Sequence, residues 1–266
     1  MPRILFFRCV TAVLLLFFCT AVSADVLEDI LERGSIRVGV AEFVPWTLKN
    51  KSGELIGYEI EVARKIAGDM GVKPEFKVYV WEDIIPALEK GEIDVIAGGM
   101  AITPARALRV NFSRPLATSG VGLATHTKMT RDIESLLQLD APDTVAVAVK
   151  DTFSASAAET IFNHAEIRVF AGRDEAEAEI LEGRAQVYLA SMPEVQFLVL
   201  KHADIVDLPI AEPLIANSEA LAVKKGEQQL LNFLDAWVTA RQSDKWLTTT
   251  RDYWFTTLDW TKDAAR

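Results

Sequence analysis

Cysteine is nearly absent from this 266-residue sequence, and the two that occur, Cys9 and Cys19, stand close to its start. The same segment has a positive beginning, an apolar stretch at 10–18 and small residues up to Ala24, a pattern typical of a secretory signal cleaved after that alanine. The apolar stretch is too short and interrupted to span a bilayer. The exported chain would therefore carry no thiol, which excludes disulfides, thiolate metal sites and a cysteine nucleophile.

Metal-ligand clusters, later apolar runs and excess positive charge are missing as well. The three histidines, His126, His164 and His202, are scattered without ligand spacing, so we expect no metal and no cofactor. No Gly-x-Ser-x-Gly motif or Walker loop occurs. Because the signal holds two of the 28 basic residues and none of the 38 acidic ones, the exported chain has a net charge of −12. This charge disfavours nucleic acid and anionic membranes as partners.

Short strands alternate with helices along the first half of the chain. Apolar alternation predicts strands at 35–40, 76–80 and 94–97, and helical apolar spacing predicts helices at 26–32, 58–70 and 82–90. This alternation predicts βαβ units with a mainly parallel sheet, which is an α/β fold.

The same pattern restarts in the second half of the chain. It predicts strands at 145–149, 167–170 and 185–190, helices at 155–162, 174–181 and 193–200, and a final amphipathic helix at 228–241. Irregular stretches near 115–120 and at 207–217 flank this second block. We therefore predict two α/β lobes crossed twice by the chain. A ligand cleft would lie where the carboxyl ends of their strands face each other.

Two glycines, a helix start and an arginine follow the predicted strand that ends at Ala97. Gly98 and Gly99 allow a ligand close to the backbone, and Thr103 is a good N-cap for the helix that follows. A helix N-terminus suits an anion, and Arg106 in the first turn can bind a carboxylate through two hydrogen bonds. The alternative is an ordinary strand–turn–helix unit with a solvated arginine.

A second helix start and three aromatic residues are further candidates. Thr152 or Ser154 follows the first strand of the second block and could present backbone N–H groups to the same anion from the opposite lobe. Phe43, Trp46 and Trp81 lie after predicted strands, where they could form walls of the cleft. Aromatic residues, however, more often belong to the hydrophobic core than contact a ligand.

A longer motif carries a family resemblance. The stretch Gly53-Glu54-Leu55-Ile56-Gly57-Tyr58-Glu59 resembles the G-x-L-x-G-[FY]-[DE] signature of the family 3 extracellular solute-binding proteins, which deliver polar amino acids to ABC transporters. The resemblance continues through Gly91-Glu92-Ile93-Asp94-Val95, Thr103-Pro104-Ala105-Arg106 and Val110-Asn111-Phe112-Ser113, and is looser in the second half of the chain.

The fold that this resemblance implies is the type II periplasmic binding protein, an α/β fold of two lobes joined by two crossing strands, with two hinge crossings. Lobe 1 would comprise residues 25–117 and 218–266, and lobe 2 residues 122–213. The hinge would be 118–121 and 214–217, and residues 1–24 the signal peptide.

The resemblance also implies a ligand site. Arg106 corresponds to the family's carboxylate-binding arginine, and Thr152 corresponds to a hydroxyl residue of the second lobe at the same carboxylate. The positions that supply aromatic walls and backbone contacts correspond to Phe43, Trp81, Gly99 and Ala101.

Several departures from the family pattern bear on the ligand. Ala101 replaces the usual Ser or Thr, Lys150 replaces a common glycine, and Ser191 stands where amino-acid binders usually carry an aspartate for the α-ammonium group. Either Glu194, one helical turn later, compensates for that aspartate, or the ligand lacks an α-ammonium group, and our sequence interpretation prefers the second. Val40 corresponds to a site that is acidic in binders of basic amino acids, so a cationic ligand side chain is disfavoured.

The sequence thus predicts a monomeric periplasmic solute-binding protein, not an enzyme, that captures a small carboxylate ligand (an amino acid or analogue) for a membrane ABC permease. The alternative is a cyclohexadienyl dehydratase-like lyase, because those enzymes resemble this family and Glu194 corresponds to their catalytic glutamate. Phe153 and Ser191 depart from that subfamily. A sensory domain is a third possibility, and it would require a membrane span after Trp260.

Overall fold

The computed structural model describes residues 25–257 and 259–264. The predicted signal, residues 1–24, lies outside the described residues. In the described ranges, no helix combines the length and the apolar character that crossing a membrane requires.

Thirteen strands and ten α-helices make up the described chain. The strands are β1 (Ser35–Val40), β2 (Leu48–Lys49), β3 (Leu55–Ile56), β4 (Lys73–Val78), β5 (Val95–Ile96), β6 (Val110–Phe112), β7 (Ala117–His126), β8 (Val145–Val149), β9 (Glu166–Phe170), β10 (Val187–Ser191), β11 (Val206–Asp207), β12 (Ile215–Glu219) and β13 (Ala222–Lys224). The helices are α1 (Val26–Arg33), α2 (Tyr58–Met70), α3 (Trp81–Glu89), α4 (Pro104–Ala107), α5 (Leu136–Leu139), α6 (Phe153–Ile161), α7 (Arg173–Leu181), α8 (Met192–Lys201), α9 (Gln228–Ser243) and α10 (Trp246–Asp252). A π-helical turn at Tyr253–Thr257 and a 3₁₀ turn at Asp259–Lys262 follow.

Five strands form the first sheet, in the order β4-β1-β5-β13-β6. β1 pairs in parallel with β4 and β5, and β13 is antiparallel to both β5 and β6. Asp94, which immediately precedes β5, stabilises this sheet. Its buried carboxylate accepts hydrogen bonds from the Arg37 backbone N–H at 2.7 Å and from Arg33 Nη2 at 2.5 Å. The parallel pairing confirms the α/β class predicted from the sequence.

The second sheet has the order β11-β7-β10-β8-β9, and β12 also pairs with β7. β8 is parallel to β9 and β10, whereas β7 is antiparallel to β10, β11 and β12. Apolar residues on both faces of this sheet form two hydrophobic clusters. We call the parts of the chain built on the first and second sheets the first and second lobes.

Two paired strands occupy segments for which the local sequence pattern predicted irregular structure, so that prediction was wrong there, whereas the family resemblance implied two crossing strands. β7 begins at Ala117, and β12 pairs with it from Ala117↔Glu219 to Val121↔Ile215. Gly120 suggested a loop, but its lack of a side chain serves close packing: a Cβ there would lie 2.5 Å from Pro213 Cβ. These strands connect the two sheets. The predicted lobe boundaries and the hinges at 118–121 and 214–217 stay predictions.

Candidate functional site

One cavity lies between the two sheets, and the eight residues predicted from the sequence all line it. The first lobe contributes Phe43, Trp81, Gly99, Ala101 and Arg106, and the second lobe contributes Thr152, Ser191 and Glu194. Gly120, Val121, Asn217 and Glu219 of the two connecting strands also line the cavity. The structure thus brings the predicted residues together, while their contacts with a ligand stay a prediction.

Arg106 lies on the short helix α4, and backbone carbonyl groups of both lobes hold its side chain in place. Thr103 is the N-cap, and its hydroxyl accepts a hydrogen bond from the Arg106 N–H at 3.2 Å. The guanidinium donates from Nη1 to the Ala101 carbonyl at 3.0 Å and from Nη2 to the Asp151 carbonyl at 2.9 Å. Burial lowers the pKa of Arg106 to about 10, so the group is cationic at neutral pH. Among the described residues, no carboxylate forms an ion pair with this cation.

The loop at Lys150 and Asp151 brings the second lobe into direct contact with the first. The Asp151 carbonyl accepts from Trp81 Nε1 at 3.0 Å as well as from Arg106. Asp151 has φ +58°, a left-handed conformation that is uncommon for a residue other than glycine. Lys150 forms an ion pair with Glu82 at 2.8 Å. The lobes therefore meet at the edge of the cavity that Arg106 lines.

Thr152 begins helix α6 as its N-cap. Its hydroxyl accepts from the Ala155 N–H at 3.1 Å and donates to the Val149 carbonyl at 2.7 Å. The Thr152 hydroxyl thus both donates to and accepts from the backbone, so its proton is not free for a ligand. The group that α6 presents to the cavity is its N-terminus. A helix start is favourable for an anion. Ser154, in the first turn of α6, also lines the cavity.

Gly99 and Trp46 form a tightly packed part of the cavity wall in the first lobe. The Gly99 N–H donates to Glu59 Oε1 at 3.0 Å, and Trp46 Nε1 donates to Glu219 Oε2 at 3.0 Å. Burial raises the pKa of Glu59 to about 8 and that of Glu219 to about 6, with Arg251 acting in the opposite direction on both. Sequence reasoning missed Glu219, because a lone glutamate near a strand end gives no signal of burial. Glu59 belongs to the quoted signature, but its role beside Gly99 was not apparent.

Ser191 and Glu194 form a reciprocal cap at the start of α8. Glu194 Oε2 accepts from the Ser191 hydroxyl at 2.7 Å and from the Ser191 N–H at 3.3 Å. Glu194 Oε1 has no hydrogen-bond partner, although the residue is only 6% exposed. Burial raises the pKa of Glu194 to about 7, against the lowering effects of Ser191 and Arg173. Glu194 thus lies at the cavity, as its position one helical turn after Ser191 suggested.

Val40 lies elsewhere than the sequence comparison implied. Its side chain is fully buried in the hydrophobic core of the first lobe and is not among the residues lining the cavity. It therefore gives no information on the charge of a ligand side chain. The expectation that a cationic side chain is disfavoured loses its basis.

Residues 36–257 match the family described as bacterial extracellular solute-binding proteins, family 3. The chain belongs to this family. Within it, the chain is similar to a probable amino-acid ABC transporter periplasmic-binding protein, y4tE, of Sinorhizobium fredii, with 30% identity over 77% of this chain and 70% of the relative. It is 23% identical to the L-cystine-binding protein TcyJ of Escherichia coli, over 86% of this chain and 85% of the relative.

Two solved structures have the same fold. A putative ABC transporter binding component from Wolinella succinogenes, complexed with lysine, matches with TM-score 0.81 and 29% identity, covering 87% of this chain and 100% of that chain. The ancestral amino acid-binding protein AncCDT-1, described as a precursor of cyclohexadienyl dehydratase, matches with TM-score 0.79 and 31% identity, over 88% and 100%. The predicted type II periplasmic binding protein fold is confirmed. The curated relatives named above are transport binding proteins.

Proposed function

We propose that this protein binds a small carboxylate ligand, an amino acid or a close analogue, in the cavity between its lobes. The observation that carries the proposal is Arg106, a mostly buried cation that lines the cavity and donates only to carbonyl groups. A buried charge is costly unless it is paired. A ligand carboxylate would supply the missing negative charge.

Groups on both sides of the cavity are favourable for binding one carboxylate. The guanidinium has five N–H donors, and its two bonds to carbonyls leave donors free for a further acceptor. The start of α6 at Thr152 faces the same cavity and is favourable for an anion. The relatives named above bind amino acids as different as cystine and lysine by their names, and these share only the amino-acid group.

We further propose that the two lobes open and close about β7 and β12, and that the ligand favours the closed form through contacts to both lobes. The contacts of Lys150 and Asp151 with the first lobe support a closed form. We propose that the protein is exported by residues 1–24, works as a monomer in the periplasm, and passes its ligand to a membrane ABC permease. The names of its relatives support this setting.

The test is isothermal titration calorimetry after a thermal-shift screen of amino acids, 2-hydroxy acids and 2-keto acids. Arg106→Ala should weaken binding of any hit by about 2 kcal/mol or more, because a hydrogen bond to a charged group is lost. The control is Arg109→Ala, three residues away, whose exposed guanidinium is paired with Glu89 at 2.7 Å and should not affect affinity. Small-angle X-ray scattering of the same samples should show a smaller radius of gyration with ligand.

Unchanged affinity in Arg106→Ala would remove Arg106 from the site, and an unchanged radius of gyration at saturating ligand would contradict closure.

A lyase activity is the second candidate, and Glu194 is the residue that favours it. Its pKa of about 7 is suited to a general acid at neutral pH. We nevertheless propose a binding protein, because the named relatives are transport proteins and Phe153 and Ser191 depart from the dehydratase pattern. Incubation with a cyclohexadienol carboxylate should give no aromatic product by ultraviolet absorbance. Catalytic formation of that product, lost in Glu194→Gln, would reverse this choice.

A further inference from the structure

An aromatic side chain of the second lobe packs against the first lobe, apart from the contacts of Lys150 and Asp151. Phe197, on helix α8, lies against Trp260 of the 3₁₀ turn at Asp259–Lys262, with 5.4 Å between the ring centroids and 33° between the ring planes. Phe197 also packs against the hydrophobic core of the first lobe, whereas Val195 and Leu198 of the same helix belong to a core cluster of the second lobe. Helix α8 therefore contacts both hydrophobic cores.

Contacts within the first lobe fix Trp260. Its indole Nε1 donates to the Trp254 carbonyl at 2.7 Å, and the two indole rings lie 5.6 Å apart. The turn that carries Trp260 is attached to the first lobe by the Lys51 N–H, which donates to the Asp263 carbonyl at 3.0 Å. Because the indole is already held, Phe197 can contact it with little further loss of side-chain entropy on the first-lobe side.

This contact lies beside the ligand cavity. In α8, Glu194 lines the ligand cavity and its neighbour Pro193 lines a second, apolar cavity that the two packed rings also line. In the first lobe, Trp46 lines the ligand cavity and its neighbour Pro45 lines the apolar one. Among the described residues that line the apolar cavity, none belongs to the connecting strands β7 and β12. The two rings should therefore separate when the lobes open.

We propose that Phe197 and Trp260 form an interlobe contact that stabilises the closed form with or without ligand, so that both are positioning residues for binding. The inference rests on the proposed opening and closing of the lobes. It goes beyond that proposal because it assigns part of the free energy of closure to side chains that touch no ligand. The family match ends at residue 257, so Trp260 lies outside the part of the chain that the family describes.

Loss of this contact has a kinetic consequence that loss of a ligand contact does not require. A contact made only in the closed form shifts the equilibrium between open and closed forms, and the apparent affinity changes with the population of the form that holds the ligand. Since a bound ligand leaves after the lobes open, removing the contact should raise the dissociation rate and leave the association rate nearly unchanged. An aromatic pair of this kind corresponds to a change of about two- to tenfold.

The experiment uses as its probe the standard L-amino acid that gives the largest thermal shift with the wild type. Affinity is measured by calorimetry, and association and dissociation rates by stopped-flow fluorescence. Phe197→Ala should weaken affinity about two- to tenfold through faster dissociation. Phe197→Tyr, which keeps the ring, should behave like the wild type. The control is Leu137→Ala, which removes an 87% exposed apolar side chain of the second lobe and should change neither rate.

A double-mutant cycle with Trp260→Leu tests whether the two rings act as a pair. In the Trp260→Leu background, Phe197→Ala should have much less effect on the dissociation rate than in the wild type, because its partner ring is already gone. Equal effects in the two backgrounds would contradict the contact. A purely local loss of stability in α8 would give such equal effects.

Unchanged or tighter affinity in Phe197→Ala would overturn the inference while the proposed function stands, since tighter affinity would mean that the contact favours the open form. If the wild type binds the probe but its radius of gyration does not fall, the proposed closure fails as well. If no amino acid binds, the ligand-free radius of gyration decides: a larger value in Phe197→Ala than in the wild type supports the contact, and equal values contradict it. Should Phe197→Ala not fold, Phe197→Leu, which keeps an apolar side chain without the ring, takes its place.

Discussion

Gly99 is the position in the cavity wall where the addition of one methyl group should have the largest effect. Its φ is +63°, in the left-handed region, and a Cβ there would lie 2.6 Å from Trp46 Nε1 and 2.8 Å from Trp46 Cδ1. Trp46 is fixed by its hydrogen bond to Glu219 and by an edge contact with Phe255 at 5.0 Å between ring centroids. The indole therefore cannot move away without loss of a buried hydrogen bond.

Gly99→Ala should lower the free energy of unfolding by about 2–5 kcal/mol. A left-handed conformation costs an alanine about 1–2 kcal/mol, and overpacking adds about 1–3 kcal/mol. The assay is urea denaturation followed by far-ultraviolet circular dichroism, with the midpoint and slope compared with those of the wild type.

Gly98→Ala is the matched control, because its φ is not in the left-handed region and the nearest atom to its Cβ would be Trp81 Cζ3 at 3.5 Å, an ordinary contact. It should cost less than about 1 kcal/mol. Equal destabilisation by the two substitutions would refute the assignment of strain to Gly99.

Two further predictions concern stability away from the ligand. Asp94→Asn should lower the free energy of unfolding by about 2 kcal/mol or more, because the buried Asp94 carboxylate pairs with Arg33 and Arg37, both at 2.5 Å. The measurement is again urea denaturation. The control is Asp132→Asn, whose carboxylate forms an exposed ion pair with Arg131 and whose substitution should have almost no effect. The pKa of Glu59 is raised from 4.5 to about 8, so the folded state holds a proton that the unfolded state releases, and stability should fall as the pH rises through this range. Urea midpoints at pH 5.5 and 8 should therefore differ less in Glu59→Gln than in the wild type, and an equal difference would contradict the role of Glu59.

The elements that the sequence predicted well are those with strong local signals. β1, β8 and α2 have the limits expected from apolar alternation and helical spacing. α1 and α2 end at Gly34 and Gly71, both in the left-handed conformation that a glycine C-cap adopts. Arg106 and Thr152 were found as site candidates because each stands at a helix start after a strand, and helix starts are encoded within a few residues.

The features that the sequence did not reveal depend on contacts between distant segments. β7 and β12 are strands because they pair with each other across about a hundred residues, and no local pattern encodes that pairing. Glu219 becomes a cavity residue through its bond with Trp46, 173 residues earlier in the chain.

In the proposed mechanism, ligand binding and lobe closure are coupled through a single guanidinium group. Arg106 donates to Ala101 in its own lobe and to the Asp151 carbonyl in the other, and Trp81 donates to the same carbonyl. The remaining N–H donors of Arg106 are those that a ligand carboxylate would use. A ligand carboxylate that fixes the Arg106 side chain would therefore also fix a group that joins the two lobes. Part of the conformational entropy that closure costs would then already be lost when the ligand binds. For the same reason the loss of Arg106 should weaken both the ligand contact and the closed form, and its effect on affinity should exceed that of removing a ligand contact made within one lobe.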